Sequence, residues 1–355
     1  MNSHNTKTIS HSLVKWYHEN GRDLPWRKTT DPYTIWISEI VLQQTTVRQG
    51  LEYYNRFIKA FPSVQHLAGA DEDQVLKLWE GLGYYSRARN LHSAAQYLCN
   101  ELGGQFPTSY KGLLELKGVG PYTAAAIASF AFNLSHVVVD GNVIRFISRQ
   151  WGIEDAVDTA PVKKSIESIG AKLISYQKPS IFNQAIMEIG ALCCTYKNPD
   201  CKNCPINSSC IAYKKNIVQN IPYKSKKIEK KNRFFYYFHI VDKSNNTIIH
   251  KRTSNDIWKG MYQFPIQEVD GFETSPTIDR FISDKSKYEL YKSKIFKQTL
   301  THQYIHAQFI KLLIDDEKTI TKENEEFSVK AKDISKYAWP KIIDLYFKDL
   351  SITLF

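Results

Sequence analysis

The chain has 355 residues, 43% hydrophobic and 23% charged, with a formal net charge of +11 at pH 7. That length exceeds one ordinary core and predicts two domains or more of a folded, soluble kind. No apolar run approaches the ~20 residues of a membrane span, and the opening MNSHNTKTISHSL lacks the apolar core of a secretory signal. A cytoplasmic protein is expected. The charge is uneven: residues 213–232 carry +6, against +3 over 1–212 and +2 over 233–355. A polyanion partner fits this, and so does a solvated linker.

In chain order, Ile9, Leu13, Val14 and Tyr17 recur at helical spacing over residues 8–24, closed by Asn20-Gly21. The loop Leu24-Pro25-Trp26-Arg27 follows. Asp31-Pro32 is an N-cap with proline at the first helical position, opening a helix over 33–47 in which Glu39 sits among Trp36, Ile37, Ile40 and Val41. Amphipathic helices are predicted at about 50–60, 73–80, 86–101 and 109–116, then at 122–132, 141–151, 161–174 and 180–195. Nothing up to residue 212 alternates as a strand does, so this part reads as all-α. After the linker IPYKSKKIEKKN, RFFYYFHIVD and NTIIHKR read as strands joined by Ser244-Asn245-Asn246. Further strands at 295–300 and 303–314, with helices near 277–283 and 341–348, predict an α/β second domain. The division expected is 1–212, a basic linker 213–232, and 233–355.

Two stretches carry chemistry. In Gly118-Val119-Gly120-Pro121-Tyr122 the glycines precede a run of small helix formers, which suits either an anion site at a helix N-terminus or a plain turn between packed helices. Val137-Val138-Val139-Asp140-Gly141-Asn142 follows, with Asp140 at the start of a helix whose N–H groups and dipole favour its ionised form. Glu39, in apolar surroundings, is expected to have a raised pKa. Two carboxylates pushed apart by their environments suit an acid and a charge-stabilising partner, as in glycoside chemistry.

Five of the six cysteines lie between Cys193 and Cys210. Cys194, Cys201, Cys204 and Cys210, spaced C-x6-C-x2-C-x5-C, can wrap one compact metal centre. Structural zinc usually takes two separated pairs, and a compact loop of four suits a [4Fe–4S] cluster, although this is not a ferredoxin spacing. Cys193 reads as a core residue.

GVGPYTAAAI resembles the helix-hairpin-helix of the DNA glycosylase superfamily, VVVDGNVIR its catalytic aspartate loop, and the cysteine spacing the cluster loop of endonuclease III and the MutY adenine glycosylases. LPWR, SEIVLQQT, GLGYYSRARN and FNQAIMEIG resemble MutY. The resemblance implies a six-helix barrel with an iron–sulfur helical domain, one [4Fe–4S] cluster on the four cysteines, and a cytoplasmic, nucleoid-associated enzyme of bacterial type. Its expected partner is double-stranded DNA with adenine opposite 8-oxoguanine or guanine, bound by a monomer without a membrane. By the same resemblance Glu39 protonates adenine N7, Asp140 stabilises the sugar cation, and Tyr122 and Asn142 support it. Trp26, Arg27 and Gln184 bind the extruded adenine, while Gln44, Thr45 and Tyr84 contact the lesion. Gly118, Gly120, Arg87, Arg89 and Arg145 are expected to meet phosphates. Tyr122 stands where strand-cleaving relatives use a lysine, so base removal without strand cleavage is expected.

More faintly, residues 233–355 resemble the Nudix-like domain of MutY, through IWKGMYQFP. No Nudix catalytic box follows Pro265, so binding rather than hydrolysis is expected. The family's Phe-Ser-His loop, which reads 8-oxoguanine, corresponds to Leu300-Thr301-His302; the hydroxyl and imidazole are kept and the aromatic ring is replaced. Rival readings are an endonuclease III-like lyase, a glycosylase for another mismatch, and a non-catalytic DNA-binding protein. Tyr122 and the extra domain speak against the first, less firmly against the second, and the pairing of Glu39 with Asp140 against the third.

Overall fold

In the computed structural model, residues 3–225, 229–279, 288–315, 322 and 325–353 are described. The chain forms two compact units, Met1–Gly69 with Ser93–Lys227, and Ala70–His92 with Ile228–Phe355. No described helix is long and apolar enough to cross a membrane.

The first unit is helical: α1 (Ser3–Asn20), α2 (Pro32–Val41), α3 (Val47–Ala60), α4 (Val64–Ala68), then, beyond α5 (Glu72–Trp79) of the second unit, most of α6 (Ser86–Leu102), α7 (Tyr110–Leu114), α8 (Pro121–Phe130), α9 (Gly141–Trp151), α10 (Ala160–Ile174), α11 (Pro179–Leu192) and α12 (Ile211–Lys214). Among the described residues of this unit there is no strand, as the missing alternation implied. The α2 N-cap forms as the sequence requires: the Asp31 carboxylate accepts from the Tyr33 and Thr34 N–H groups, with Pro32 at the first position. Where one helix was expected over 33–47, two stand. α2 stops at Val41, Gln44 takes φ +57°, and Thr46 caps α3 by accepting from Gln49 N–H. The break replaces a helical turn with a tight loop that exposes Gln44.

One core of this unit gathers Leu13 of α1, Phe146 and Ile147 of α9, Leu173 of α10, and Phe182, Ile186 and Ile189 of α11. Each such buried side chain contributes roughly 1.5–3 kcal/mol. Cys193 joins this core. At Gly190 a Cβ would lie 2.7 Å from Asn142 Cβ and 2.8 Å from its carbonyl oxygen, so glycine lets α11 press against the start of α9. Gly152 closes α9 in the left-handed region.

The second unit holds α5, the loop 80–85, the start of α6 and a seven-stranded sheet. Its strands are β1 (Lys231–Asp242), β2 (Asn246–Lys251), β3 (Tyr262–Gln263), β4 (Ile266–Val269), β5 (Tyr288–Thr299), β6 (Gln303–Ile314) and β7 (Phe327–Lys330), followed by α13 (Lys341–Thr353). The main path is β3-β2-β1-β6-β5, with β4 on β1 and β7 on β2. β1 and β6 run parallel from Lys231↔Gln303 to Asp242↔Ile314, and β5 pairs antiparallel with β6 across a bulge between Lys292 and Ile295. Alternation sends Tyr236, Phe238, Ile240, Ile310 and Leu312 into one core, and Tyr237 and Phe309 to the other face, where Phe309 stacks on Tyr346 of α13 at 3.9 Å. The hairpin turn has Asn245 at φ +57°. Of the helix expected near 277–283, residues 277–279 are not helical and 280–283 lie outside the described residues.

Candidate active site

Glu39 lies on the buried face of α2, 5% exposed. Burial pushes its pKa up to about 7; a hydrogen bond from Tyr122 opposes the rise, the charge of Asp140 adds to it, and Arg27 opposes it. Tyr122, in the first turn of α8, donates its hydroxyl to Glu39 Oε2 at 2.7 Å. Asp140 is the N-cap of α9, accepting from Val143 N–H at 2.7 Å and from Asn142 Nδ2 at 2.7 Å. These bonds and Arg145 pull its pKa down, yet burial outweighs them and the net direction is upward. The helix terminus favours the ionised form as the sequence suggested, without overcoming desolvation. The two carboxylates still differ, because Asp140 accepts from both Val143 and Asn142 where Glu39 has a single phenol.

Both face one cavity of about 200 Å³, lined also by Trp26, Arg27, Thr45, Tyr122, Asn142 and Gln184. Trp26 is fixed edge-on against Tyr54, ring centroids 5.0 Å apart. Gln184 accepts from the Tyr17 hydroxyl, which orients its amide. Arg27 is held by Glu188, a residue sequence reasoning did not single out. Arg27 Nη2 and Arg22 Nη2 both donate to Glu188 Oε2, at 2.6 and 2.7 Å, and Arg22 N–H and Nε to Oε1, each at 2.8 Å. Burial alone would raise the Glu188 pKa; the two guanidinium partners outweigh it and hold it at about 2. The signal was available: Glu188 is the lone carboxylate in α11 and lies four residues after Gln184, on the same face.

Arg145, expected to meet phosphate, is turned inward. It donates from Nη2 to Asn142 Oδ1 at 2.9 Å and to the Gly190 carbonyl, and from Nε to the Cys194 carbonyl at 2.7 Å. It therefore ties the Asp140–Asn142 pair to the first cysteine of the loop. Gly118 has φ +80°, whereas Gly120 caps α8 in extended backbone with open space where a Cβ would lie. The left-handed requirement is thus at Gly118 alone, and Gly120 leaves the α8 N-terminus uncovered.

Cys194, Cys201, Cys204 and Cys210 line one small cavity of about 20 Å³ with Cys193, Phe146 and Arg149, and all are free thiols. Burial pushes the Cys194 thiol up, and Arg149 and Arg145 pull it back; Arg149 Nη1 lies 3.5 Å from its sulfur. Among the described residues no group of three or more His, Cys, Asp or Glu is drawn close enough to hold a metal ion. The donor set, four thiols facing one pocket beside a guanidinium, suits a metal centre held by four thiolates.

In the second unit, a cavity of about 600 Å³ is lined by Tyr84, Arg89, Lys230, Trp258, Thr301 and His302, among others. The loop before α6 is unusual: Gly81, Gly83 and Tyr84 all have positive φ, Tyr84 at +50°, a conformation non-glycine residues hold where surrounding bonds impose it. Trp79 Nε1 donates to the Gly83 carbonyl, and Gly81 N–H to the Tyr85 hydroxyl. Tyr85 is buried, and Tyr84 is 48% exposed with its hydroxyl 2.7 Å from Thr301 Oγ1. Arg87 is buried over the Trp79 ring and donates to the Gly83 carbonyl, its pKa lowered by burial to about 10. Arg89 bonds to the Lys259 carbonyl. Arg87 thus braces this loop, and Arg89 ties α6 to the segment at Lys259.

This fold and site define a base-excision glycosylase of the helix-hairpin-helix class. Residues 37–172 match the HhH-GPD superfamily base excision DNA repair protein model, and 236–349 match a NUDIX domain. A solved thermostable thymine-DNA glycosylase aligns over 59% of this chain and 97% of its own, at TM-score 0.55 and 29% identity. An endonuclease III–DNA complex aligns over 61% of this chain and 99% of its own, at TM-score 0.53 and 21% identity, a likeness of fold.

The chain belongs to the adenine DNA glycosylase family. It is 37% identical over 303 residues to the adenine DNA glycosylase of Buchnera aphidicola subsp. Schizaphis graminum, covering 84% of each chain. With the Rattus norvegicus enzyme it shares 42% identity over 213 residues, 58% of this chain and 41% of that one.

Proposed function

We propose that this protein removes adenine mispaired with 8-oxoguanine or guanine from double-stranded DNA and leaves the strand intact. The observation that carries the reading is the meeting of Glu39, Tyr122, Asp140 and Asn142 in one cavity with Trp26, Arg27 and Gln184. An extruded adenine enters that cavity. Glu39, with a pKa of about 7, is protonated in about half the molecules at neutral pH and delivers its proton to N7. The C1′–N9 bond then breaks with its electron pair on the base. Asp140 stabilises the sugar cation or captures it transiently, and Asn142 orients both Asp140 and the water that attacks C1′. Tyr122 holds Glu39 in place and, being a phenol, cannot form the imine that strand cleavage needs.

Thr301, His302 and Tyr84 contact the 8-oxoguanine, a reading supported by the cavity of about 600 Å³ that they share. The α8 N-terminus with Gly118 and Gly120 takes a phosphate. Cys194, Cys201, Cys204 and Cys210 hold one [4Fe–4S] cluster, which would staple the loop that Arg145 joins to the active site. In this reading residues 1–212 do the chemistry, 213–232 link, and 233–355 recognise the lesion.

The test is a time course on duplexes carrying adenine opposite 8-oxoguanine, guanine or thymine, with and without alkali. Strand breaks after alkali in the first two support the proposal. No breaks, or equal breaks opposite thymine, overturn it. Brown protein containing iron and acid-labile sulfide in equal amounts supports the cluster, and zinc in their place contradicts it.

A further inference from the structure

The β5–β6 hairpin carries Thr301 and His302 at its tip, and one face of the sheet behind that tip is open. On this face Thr299 pairs with Tyr304, and Lys297 with His306, across β5 and β6. Asn232 and Phe234 continue the same two rows on β1. Farther along, the face is closed by Val269, Phe272 and Ile278 over the core of Tyr236, Phe238 and Ile310. Near the tip it stays open: Tyr304 and Ile295 are each 43% exposed, and Lys297 is exposed.

The open rows are ordered by contacts within the face. His306 stacks on Phe234 at 4.7 Å, and its Nε2 lies 3.0 Å from Asn232 Oδ1. Lys230 Nζ stands 5.2 Å from the centroid of the Tyr304 ring, and Lys230 also lines the cavity that holds Thr301 and His302. Lys297 lies close enough to His306 to lower its pKa, after burial. Among the described residues neither Lys230 nor Lys297 has a carboxylate partner, whereas Lys294, on the opposite face of the sheet, is paired with Asp349. The rows thus combine unneutralised lysines with a fixed aromatic ring, next to the tip assigned to the lesion.

We propose that this open sheet face is a binding surface for the DNA sugar–phosphate backbone beside the lesion, with Lys230 and Lys297 meeting phosphates and Tyr304 packing on the sugar between them. Fully extended, the four residue steps from Lys297 to Thr301 span at most about 13 Å, the axial rise of about four base pairs. The surface therefore extends the duplex contact from the recognition tip along the flank. It reads charge and shape, and so adds affinity without sequence preference. The proposal rests on the assignment of this hairpin to the lesion under the proposed function.

The test compares the full-length protein with its K230Q/K297Q variant on undamaged duplex and on the 8-oxoguanine mispair, measuring Kd across a salt series. Removing one lysine–phosphate interaction lowers the slope of log K against log salt by about 0.9. The expected result is a slope smaller by about 1.8 on both duplexes. An unchanged slope overturns the proposal. So does an equal fall in K164Q/K172Q, which removes two exposed charges from α10, since net charge alone would then explain the effect. Thermal melting checks that each variant is folded. Wild-type excision, measured in the same series, separates the two readings: if adenine is not released the proposed function fails, and if it is released with no slope change only this inference fails.

Discussion

Replacing Glu39 with Gln separates what the residue does for the fold from what it does for the reaction. The folded carboxyl titrates at about 7 against an ordinary 4.5, chiefly because it is buried. Below about pH 4.5 both folded and unfolded chains hold the proton. Between 4.5 and 7 the unfolded chain loses it first, so stability falls as pH rises, and above 7 the loss is complete. At about 1.4 kcal/mol per pH unit, that interval amounts to about 3 kcal/mol. Glu39→Gln is neutral at every pH and keeps an amide oxygen to accept from Tyr122. It should match wild type at pH 4.5 and exceed it by up to about 3 kcal/mol at pH 8, a rise in melting temperature of roughly 6–12 °C for a unit of this size. Adenine excision should vanish in the same variant, because the amide has no acidic proton to give. Melting curves at the two pH values, with excision run in parallel, test both halves. A variant that melts no higher than wild type at pH 8, or that still excises adenine, refutes the reasoning.

Two further perturbations probe positioning and recognition. Arg145→Gln removes the bonds to Asn142, Gly190 and Cys194; single-turnover excision should fall about tenfold or more while duplex Kd stays within threefold, since misplacement near the reacting atoms acts on rate. Thr301→Ala with His302→Ala should erase the preference for 8-oxoguanine over guanine and leave excision from the guanine mispair within threefold, as read from single-turnover rates on the two duplexes.

The residues proposed to carry the chemistry were legible because each sits on a local signal. Asp140 caps α9 directly after the valine run, Glu39 interrupts an apolar helix face, and the four cysteines fall within one short loop. What was illegible depends on distance in sequence. Glu188 is fixed by Arg22 and Arg27, more than 160 residues away, and Arg145 turns inward only because Gly190 brings α11 against α9. An arginine on a helix carries no sign of which way it will point. The split at residues 42–46 is illegible in the sequence because its marks are a positive φ at Gln44 and a Thr46 cap inside a run that keeps helical spacing. Strands β3, β4 and β7 have four residues or fewer, too short for alternation to register. The grouping of residues 70–92 with the C-terminal sheet likewise rests on bonds such as Lys251 to Asp73 and Trp339 N–H to Glu80, which no local pattern announces.

Everything in the proposed reaction turns on Glu39 as the proton donor, and the pH dependence of single-turnover excision at saturating enzyme tests that most directly. Activity of an acid with a pKa of about 7 disappears as the proton leaves. The rate should therefore be level well below pH 7, be about halved near pH 7, and fall about tenfold per pH unit well above it. A rate that stays level from pH 7 to pH 9, with the protein folded throughout, contradicts the assignment.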